Sequence, residues 1–272
     1  MNKMKGIKVL LIILTIFFGF SGVYAVSITY INAAKTVAPQ ALRLIAHAGG
    51  EIYGIRMTNS VQALDNSYSK EFRLFELDID WTSDGVPVVI HDWGNVNWFM
   101  NIKYSTKPPT FEEFKNMDTI LGLKLMDLDI LEEWLLEHED AYIVTDVKND
   151  NLKMLGIIKK QYSRISSQII PQIYSFEEYD SVKDLGYKNI ILTKYKIKAT
   201  DDEVIDFCQN HSLFGITMYE DIVNAAVLNK YSELGIPIYV HTINNYNEYV
   251  KLRDNGAYGV YTDYFQPSNW VE

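Results

Sequence analysis

Acidic and imidazole side chains recur in this sequence where short β-rich runs come to an end. His47 closes RLIAH, Glu76, Asp78 and Asp80 punctuate LFELDID, and His91 with Asp92 closes VPVVIHD. Asp146 and Lys148 stand at the end of AYIVTDV, and Gln172, Lys194, His241 and Asp263 hold similar places in later runs. Successive side chains of a strand alternate between faces, so Glu76, Asp78 and Asp80 share one face and Leu77 and Ile79 the other. Three carboxylates at that spacing repel one another and take up protons unless a cation lies among them. Hard oxygen ligands of this kind select Mg2+ or Ca2+ over softer metals. His138 and His211 fall at the ends of helix-like stretches and read as solvated residues without a chemical role.

The elements that would position these residues form a regular series. Eight β-rich runs can be counted, at residues 43–47, 74–80, 141–147, 169–174, 189–194, 213–218, 237–242 and 259–263. Between most of them lie stretches with apolar residues at three- and four-residue spacing, such as DILEEWLLEHE and TDDEVIDFCQNH. Gly186, Gly235 and Gly256 stand where helix C-termini favour glycine. Alternating strand and helix signals predict an α/β fold with a parallel sheet, and eight such units fit a closed (β/α)8 TIM barrel. Active sites of such barrels lie at the C-terminal strand ends, where the polar residues stand. One interval, between the second and third runs, is too long for a single crossover and predicts an insertion over the barrel mouth. Within it Thr82–Gly85 reads as a turn, followed by a strand returning from Val86 to His91. The stretch from Trp93 to Phe99 suits either a polyol site or a core.

The chain has 272 residues, of which 48% are hydrophobic and 22% charged, a globular composition that gives one domain enough core without staples. Its one cysteine, Cys208, lies in a helix-like stretch and reads as a core residue. The formal charge of −10, with no basic stripe, excludes nucleic acid as the main ligand. The first 35 residues differ in kind. Lys3, Lys5 and Lys8 precede an apolar run from Val9 to about Val26, which predicts a signal peptide or an N-terminal membrane anchor. Either one places the barrel domain, residues 42–272, outside the cell, exported at the membrane or secreted.

The order and spacing of these motifs resemble the glycerophosphodiester phosphodiesterase family over residues 43–265. That family opens with His-Arg-Gly and Glu-Asn-Thr, continues with Glu-x-Asp and Thr-x-Asp-Gly, and then shows a strand ending in His-Asp. The matching residues are His47-Ala48-Gly49, Thr58-Asn59-Ser60, Glu76-Leu77-Asp78, Thr82-Ser83-Asp84-Gly85 and His91-Asp92. An acid-x-Lys, an aromatic-Thr-x-Asn and a closing Thr-Asp correspond to Asp146-Val147-Lys148, His241-Thr242-Ile243-Asn244 and Thr262-Asp263. The resemblance implies a divalent metal, Mg2+ or Ca2+, on Glu76, Asp78 and Asp146, with His47 and His91 as acid–base pair and Lys148 on the phosphate. A phosphodiester anion needs its charge neutralised and protons moved near neutral pH, which a metal, a lysine and two imidazoles can do. The implied activity is hydrolysis of glycerophosphodiesters, lysophospholipids or cell-surface phosphodiesters. The partners are then a phosphodiester small molecule or lipid headgroup, and the membrane through the N-terminal segment. A lyase stopping at a cyclic phosphate, or an inactive envelope protein binding sugar or glycerol phosphates, would use the same fold. Three departures stand out: Ala48 for the family arginine, Thr58 for a glutamate, and Asp146 one methylene shorter than the usual acid. Arg56 could supply the lost cation, and His241 replaces an aromatic wall of the site.

Overall fold

The computed structural model describes residues 42–94 and 107–267, together with two strands nearer the N-terminus. The chain divides into two units, Met1–Val37 and Ala38–Glu272. In the first, β1 (Leu11–Ile16) pairs antiparallel with β2 (Val26–Ile31). The rest of the expected export segment lies outside the described residues. No helix among the described residues is long and apolar enough to cross a membrane.

The second unit is a closed barrel of eight parallel strands. They are β3 (Leu44–Ala46), β4 (Leu74–Trp81), β7 (Tyr142–Val147), β8 (Ile169–Ile173), β9 (Ile191–Thr193), β10 (Gly215–Tyr219), β11 (Ile238–His241) and β12 (Gly259–Thr262). Each pairs with the next, and β12 returns to β3. All eight expected runs are strands. Helices α1 (Val61–Ser69), α3 (Leu128–Glu137), α4 (Asn151–Gln161), α5 (Glu178–Asp184), α6 (Asp201–Asn210), α7 (Ala225–Ser232) and α8 (Tyr246–Asp254) fill the intervals. Their limits are chemical. Thr200 and Glu203 form a reciprocal capping box at the start of α6, and α5, α7 and α8 stop just before the glycines expected to end them.

Strand alternation sorts the side chains. Leu77 and Ile79 join one large cluster with helix residues such as Leu131, Trp134 and Leu155. Ile45, Leu74, Val144, Ile170, Ile191, Phe214, Tyr239 and Tyr261, one from each strand or its lead-in, form a second cluster, the apolar floor inside the barrel. Tyr239 fits there because Gly215 and Gly259 leave room; a Cβ on Gly259 would lie 2.8 Å from its ring and 2.1 Å from the Arg43 carbonyl oxygen. Above this floor the inward positions turn polar, and that change of chemistry places the site at the C-terminal ends.

The insertion follows β4. That strand outruns its barrel neighbours, and its last residues pair antiparallel with β5 (Pro87–Val89), which in turn pairs with β6 (Met126–Asp127). The Thr-x-Asp-Gly motif makes the turn between β4 and β5. Gly85 N–H donates to the Thr82 carbonyl at 2.9 Å, and Asp84 Oδ1 accepts from Thr82 Oγ1 and from the Phe111 N–H that opens α2 (Phe111–Lys115). Trp93 is buried against Val88, Ile90 and Phe114, so the part of the aromatic stretch that is described is core. Residues 95–99 of that stretch lie outside the described residues. His138 and His211 are half-buried rather than solvated, each bonding the carbonyl four residues back at the end of its helix. Cys208 is buried in the core.

Candidate active site

Strand register brings the acids together. Asp78 and Asp146 are paired residues of β4 and β7, and Glu76 lies two residues earlier on the face of Asp78. Ligand atoms of the three lie within 4.8 Å of one another. Lys148 stands over them, Nζ donating to Asp78 Oδ1 at 2.5 Å and Asp146 Oδ2 at 2.7 Å. Asn59 grips Asp78 twice: Nδ2 donates to Oδ2 at 2.9 Å, and Oδ1 accepts the Asp78 backbone N–H at 3.1 Å. Asp80 is a correction to the three-acid face read from the strand. Where β4 outruns the barrel, Asp80 instead accepts from the Trp81 N–H and Asn149, and the third acid comes from β7.

Electrostatics show what this group lacks. Burial, and then the charge of Asp78, push the Glu76 carboxyl up to about 8. Burial acts in the same sense on Asp78, but the charges of Lys148, His91 and His47 outweigh it and hold that carboxyl below the usual range. A carboxyl that keeps its proton near neutral pH among other acids marks a cluster short of positive charge. Three carboxylates offering only hard oxygens fit a divalent cation such as Mg2+ or Ca2+.

The first histidine is set by a tight turn after β3. Ala48, Gly49 and Gly50 all take positive φ, and the turn aims the Ala48 N–H at Glu76 Oε2, 2.8 Å away. Gly50 cannot be replaced cheaply: at φ +90° a Cβ would also lie 2.2 Å from Ser67 Oγ. His47 Nδ1 lies 2.9 Å from Asp263 Oδ1, and Asn244 donates to the other oxygen of Asp263 at 2.6 Å. Burial disfavours the charged ring, yet the hydrogen bond to Asp263 and the charges of Glu76, Asp263 and Asp78 together raise its pKa to about 9. The contact with Asp263 thus favours the protonated ring, with Nδ1–H toward that carboxylate.

This pair carries a pH-dependent share of stability. A histidine raised from 6.5 to about 9 contributes fully below about 6.5, and the contribution is lost as pH rises through about 9. Asp263→Asn should accordingly lower the thermal midpoint more at pH 6 than at pH 10. A loss that does not shrink with rising pH would contradict the pairing.

The second histidine comes from the returning strand. Ile90 N–H donates to the Asp78 carbonyl at 2.9 Å, which sets His91 beside that acid. His91 Nδ1 lies 2.5 Å from Asp92 Oδ2, and the other oxygen of Asp92 accepts the Gly94 N–H at 2.7 Å. His241, at the end of β11, meets His47 edge-on with ring centroids 4.9 Å apart. Burial and the charge of His47 lower its pKa to about 3, so it stays neutral. Arg56 is more peripheral, with a guanidinium nitrogen 3.7 Å from Asp263 Oδ2 and 57% of its side chain exposed. Seven of the candidates thus gather at the barrel mouth, with Arg56 at its rim. Sequence reasoning named Asn59, Asn244 and Asp263 within motifs without giving them tasks, and it missed Tyr174, whose hydroxyl donates to Asp146 Oδ1 at 2.8 Å. One tyrosine among 19 carries no spacing signal.

The sequence profile of the glycerophosphoryl diester phosphodiesterase family matches residues 47–266. Human glycerophosphodiester phosphodiesterase 1 is 25% identical over 242 residues, which cover 75% of this chain and 72% of that protein. A glycerophosphodiester phosphodiesterase of Bacillus subtilis (strain 168) is 22% identical over 281 residues, covering 93% of this chain and 94% of its own. Among solved structures, an Oleispira antarctica phosphodiesterase in complex with the product sn-glycerol-3-phosphate superposes with a TM-score of 0.65 at 15% identity, covering 82% of this chain and 93% of that one. The profile match takes in both histidines, all three acids and Lys148, and on that ground the chain belongs to the glycerophosphoryl diester phosphodiesterase family and is a phosphoric diester hydrolase.

Proposed function

We propose that the chain is a metal-dependent hydrolase of glycerophosphodiesters that works by two-histidine acid–base catalysis. The observation that supports this most is the convergence of Glu76, Asp78 and Asp146 within 4.8 Å, with the turn after His47 bonded to Glu76 and the strand before His91 bonded to Asp78. Glu76, Asp78 and Asp146 would hold the cation, which when bound neutralises phosphate charge and polarises its oxygens. Lys148 adds a second positive charge beside the phosphate.

The two histidines take opposite parts. His91, with Nδ1 turned to Asp92, takes the proton from the attacking hydroxyl, the substrate's own glycerol hydroxyl next to the phosphate ester. His47, held protonated by Asp263, gives its proton to the leaving alkoxide as the P–O bond breaks. The product of this step is a cyclic phosphate. Water then opens it with the roles exchanged: His47, now neutral, takes the proton from water, and His91 returns one to the glycerol oxygen. Release of glycerol phosphate from glycerophosphodiesters by the full chain, measured by enzymatic detection, is the expected result. Absence of release with every ester and either cation would overturn the proposal.

Arg56 stands in for the missing arginine at Ala48. Its position beside Asp263 puts a cation near the leaving group's side of the site. A charge-assisted contact of roughly 1.5–3 kcal/mol predicts that Arg56→Ala slows turnover or weakens binding about tenfold or more. A neutral substitution would mean that the cation and Lys148 suffice.

The N-terminal residues 1–35 act as signal peptide or anchor, and the hydrolase domain faces the exterior. Lys3, Lys5 and Lys8 before the apolar run support this orientation. Protease added to intact cells should digest the domain. Protection until the membrane is opened would contradict the topology.

A further inference from the structure

The third acid of the cluster is the one whose surroundings leave it least free to turn. Asp146, next to last in β7, has a short side chain with little reach, so its aim depends on what holds it. Tyr174, the residue after β8, does so. Its hydroxyl oxygen accepts the Val147 backbone N–H at 2.7 Å and donates to Asp146 Oδ1 at 2.8 Å, so the phenol is fixed from two sides. The tyrosine is itself held, because its backbone N–H donates to Glu178 Oε2 at 2.8 Å, and Glu178 also receives Asn151 Nδ2 at 3.2 Å. With Oδ1 committed to the phenol, Oδ2 is the oxygen that meets Lys148, whose ammonium also meets Asp78 Oδ1.

We infer that Tyr174 is a positioning residue that makes Asp146 a one-oxygen ligand and so biases the site toward a small six-coordinate cation. This rests on the metal-dependent reading above. Mg2+ takes six ligands in strict octahedral geometry and dehydrates reluctantly, whereas Ca2+ accepts two-oxygen carboxylates and higher coordination. A carboxylate with one oxygen withheld suits the first ion and handicaps the second. Freed from the phenol, Asp146 could turn and offer both oxygens.

The test is calorimetric titration of Mg2+ and of Ca2+ into the full chain and into Tyr174→Phe, which removes one oxygen atom and leaves the ring in place. Loss of a ligand's orienting hydrogen bond weakens metal binding by about 10- to 100-fold. The expected result is a loss of about tenfold or more for Mg2+ and a distinctly smaller one for Ca2+, so that the ratio of the two dissociation constants shifts. A double-mutant cycle completes the test. In an Asp146→Ala background, Tyr174→Phe should bring no further change, because the tyrosine acts through that carboxylate. Equal losses for both ions, no loss, or a full effect in the Ala background would overturn the inference while leaving the metal site standing. A wild-type chain that binds neither ion would instead remove the metal-dependent reading on which it rests.

Discussion

His47→Ala and His91→Ala should each lower kcat by roughly a hundredfold or more, with a smaller change in KM. In the proposed mechanism each half of the reaction uses both rings, which different carboxylates orient, Asp263 for His47 and Asp92 for His91. Removing either one therefore stops a proton relay rather than weakening substrate binding. For the same reason the double variant should fall far short of the product of the two losses. Alanine at His241, which stays neutral and meets His47 only edge-on, serves as the comparison. Steady-state kinetics with one glycerophosphodiester decide the matter. Single variants with near wild-type turnover would remove the acid–base account and favour a barrel that binds phosphodiesters without cleaving them.

The second large effect concerns the acid cluster. Excess chelator should abolish activity, and readdition of Mg2+ or Ca2+ should restore it. Asp78→Asn should weaken cation binding by more than the roughly 10- to 100-fold that loss of an outer hydrogen bond produces, because it removes a ligand charge. Asp78 is the centre of the arrangement: Asn59 fixes one oxygen, Lys148 meets the other, and both histidines act on its charge. Asn59→Ala should reproduce part of the loss through orientation alone. Full activity in chelator, or an Asp78→Asn variant with unchanged affinity, would contradict the role assigned to the cluster.

Much of this arrangement is legible in the sequence because strand physics is local. Alternation along LFELDID puts Glu76 and Asp78 inward and Leu77 and Ile79 outward, and seven of the eight β-rich runs carry a charged, imidazole or amide side chain at or just past their C-terminal end. Asp80 shows the limit of the same rule. Two-residue alternation continues past the point where β4 leaves the barrel to pair with β5, so the periodicity extends a shared face beyond the site it lines. Register between strands is not a local property. The pairing of Asp78 with Asp146 across β4 and β7, and the meeting of His47 with Asp263 across 216 residues, follow from barrel closure. The task of Tyr174 was hidden for the same reason. A position at a helix end points to solvation for His138 and His211, yet each ring stacks on an aromatic one turn back, Trp134 and Phe207, and bonds the carbonyl there.

Phosphodiester cleavage by this site is tested most directly by 31P NMR of the full chain with glycerophosphodiesters of differing leaving alcohol, followed with and without divalent cation. The account predicts that the diester resonance gives way to a glycerol phosphate monoester, with cyclic phosphate passing through as a transient, and that neither appears in chelator or with His47→Ala. A cyclic phosphate that accumulates and persists would mark a lyase instead. Diester signals that shift or broaden on binding but never convert, with either cation, would contradict hydrolysis.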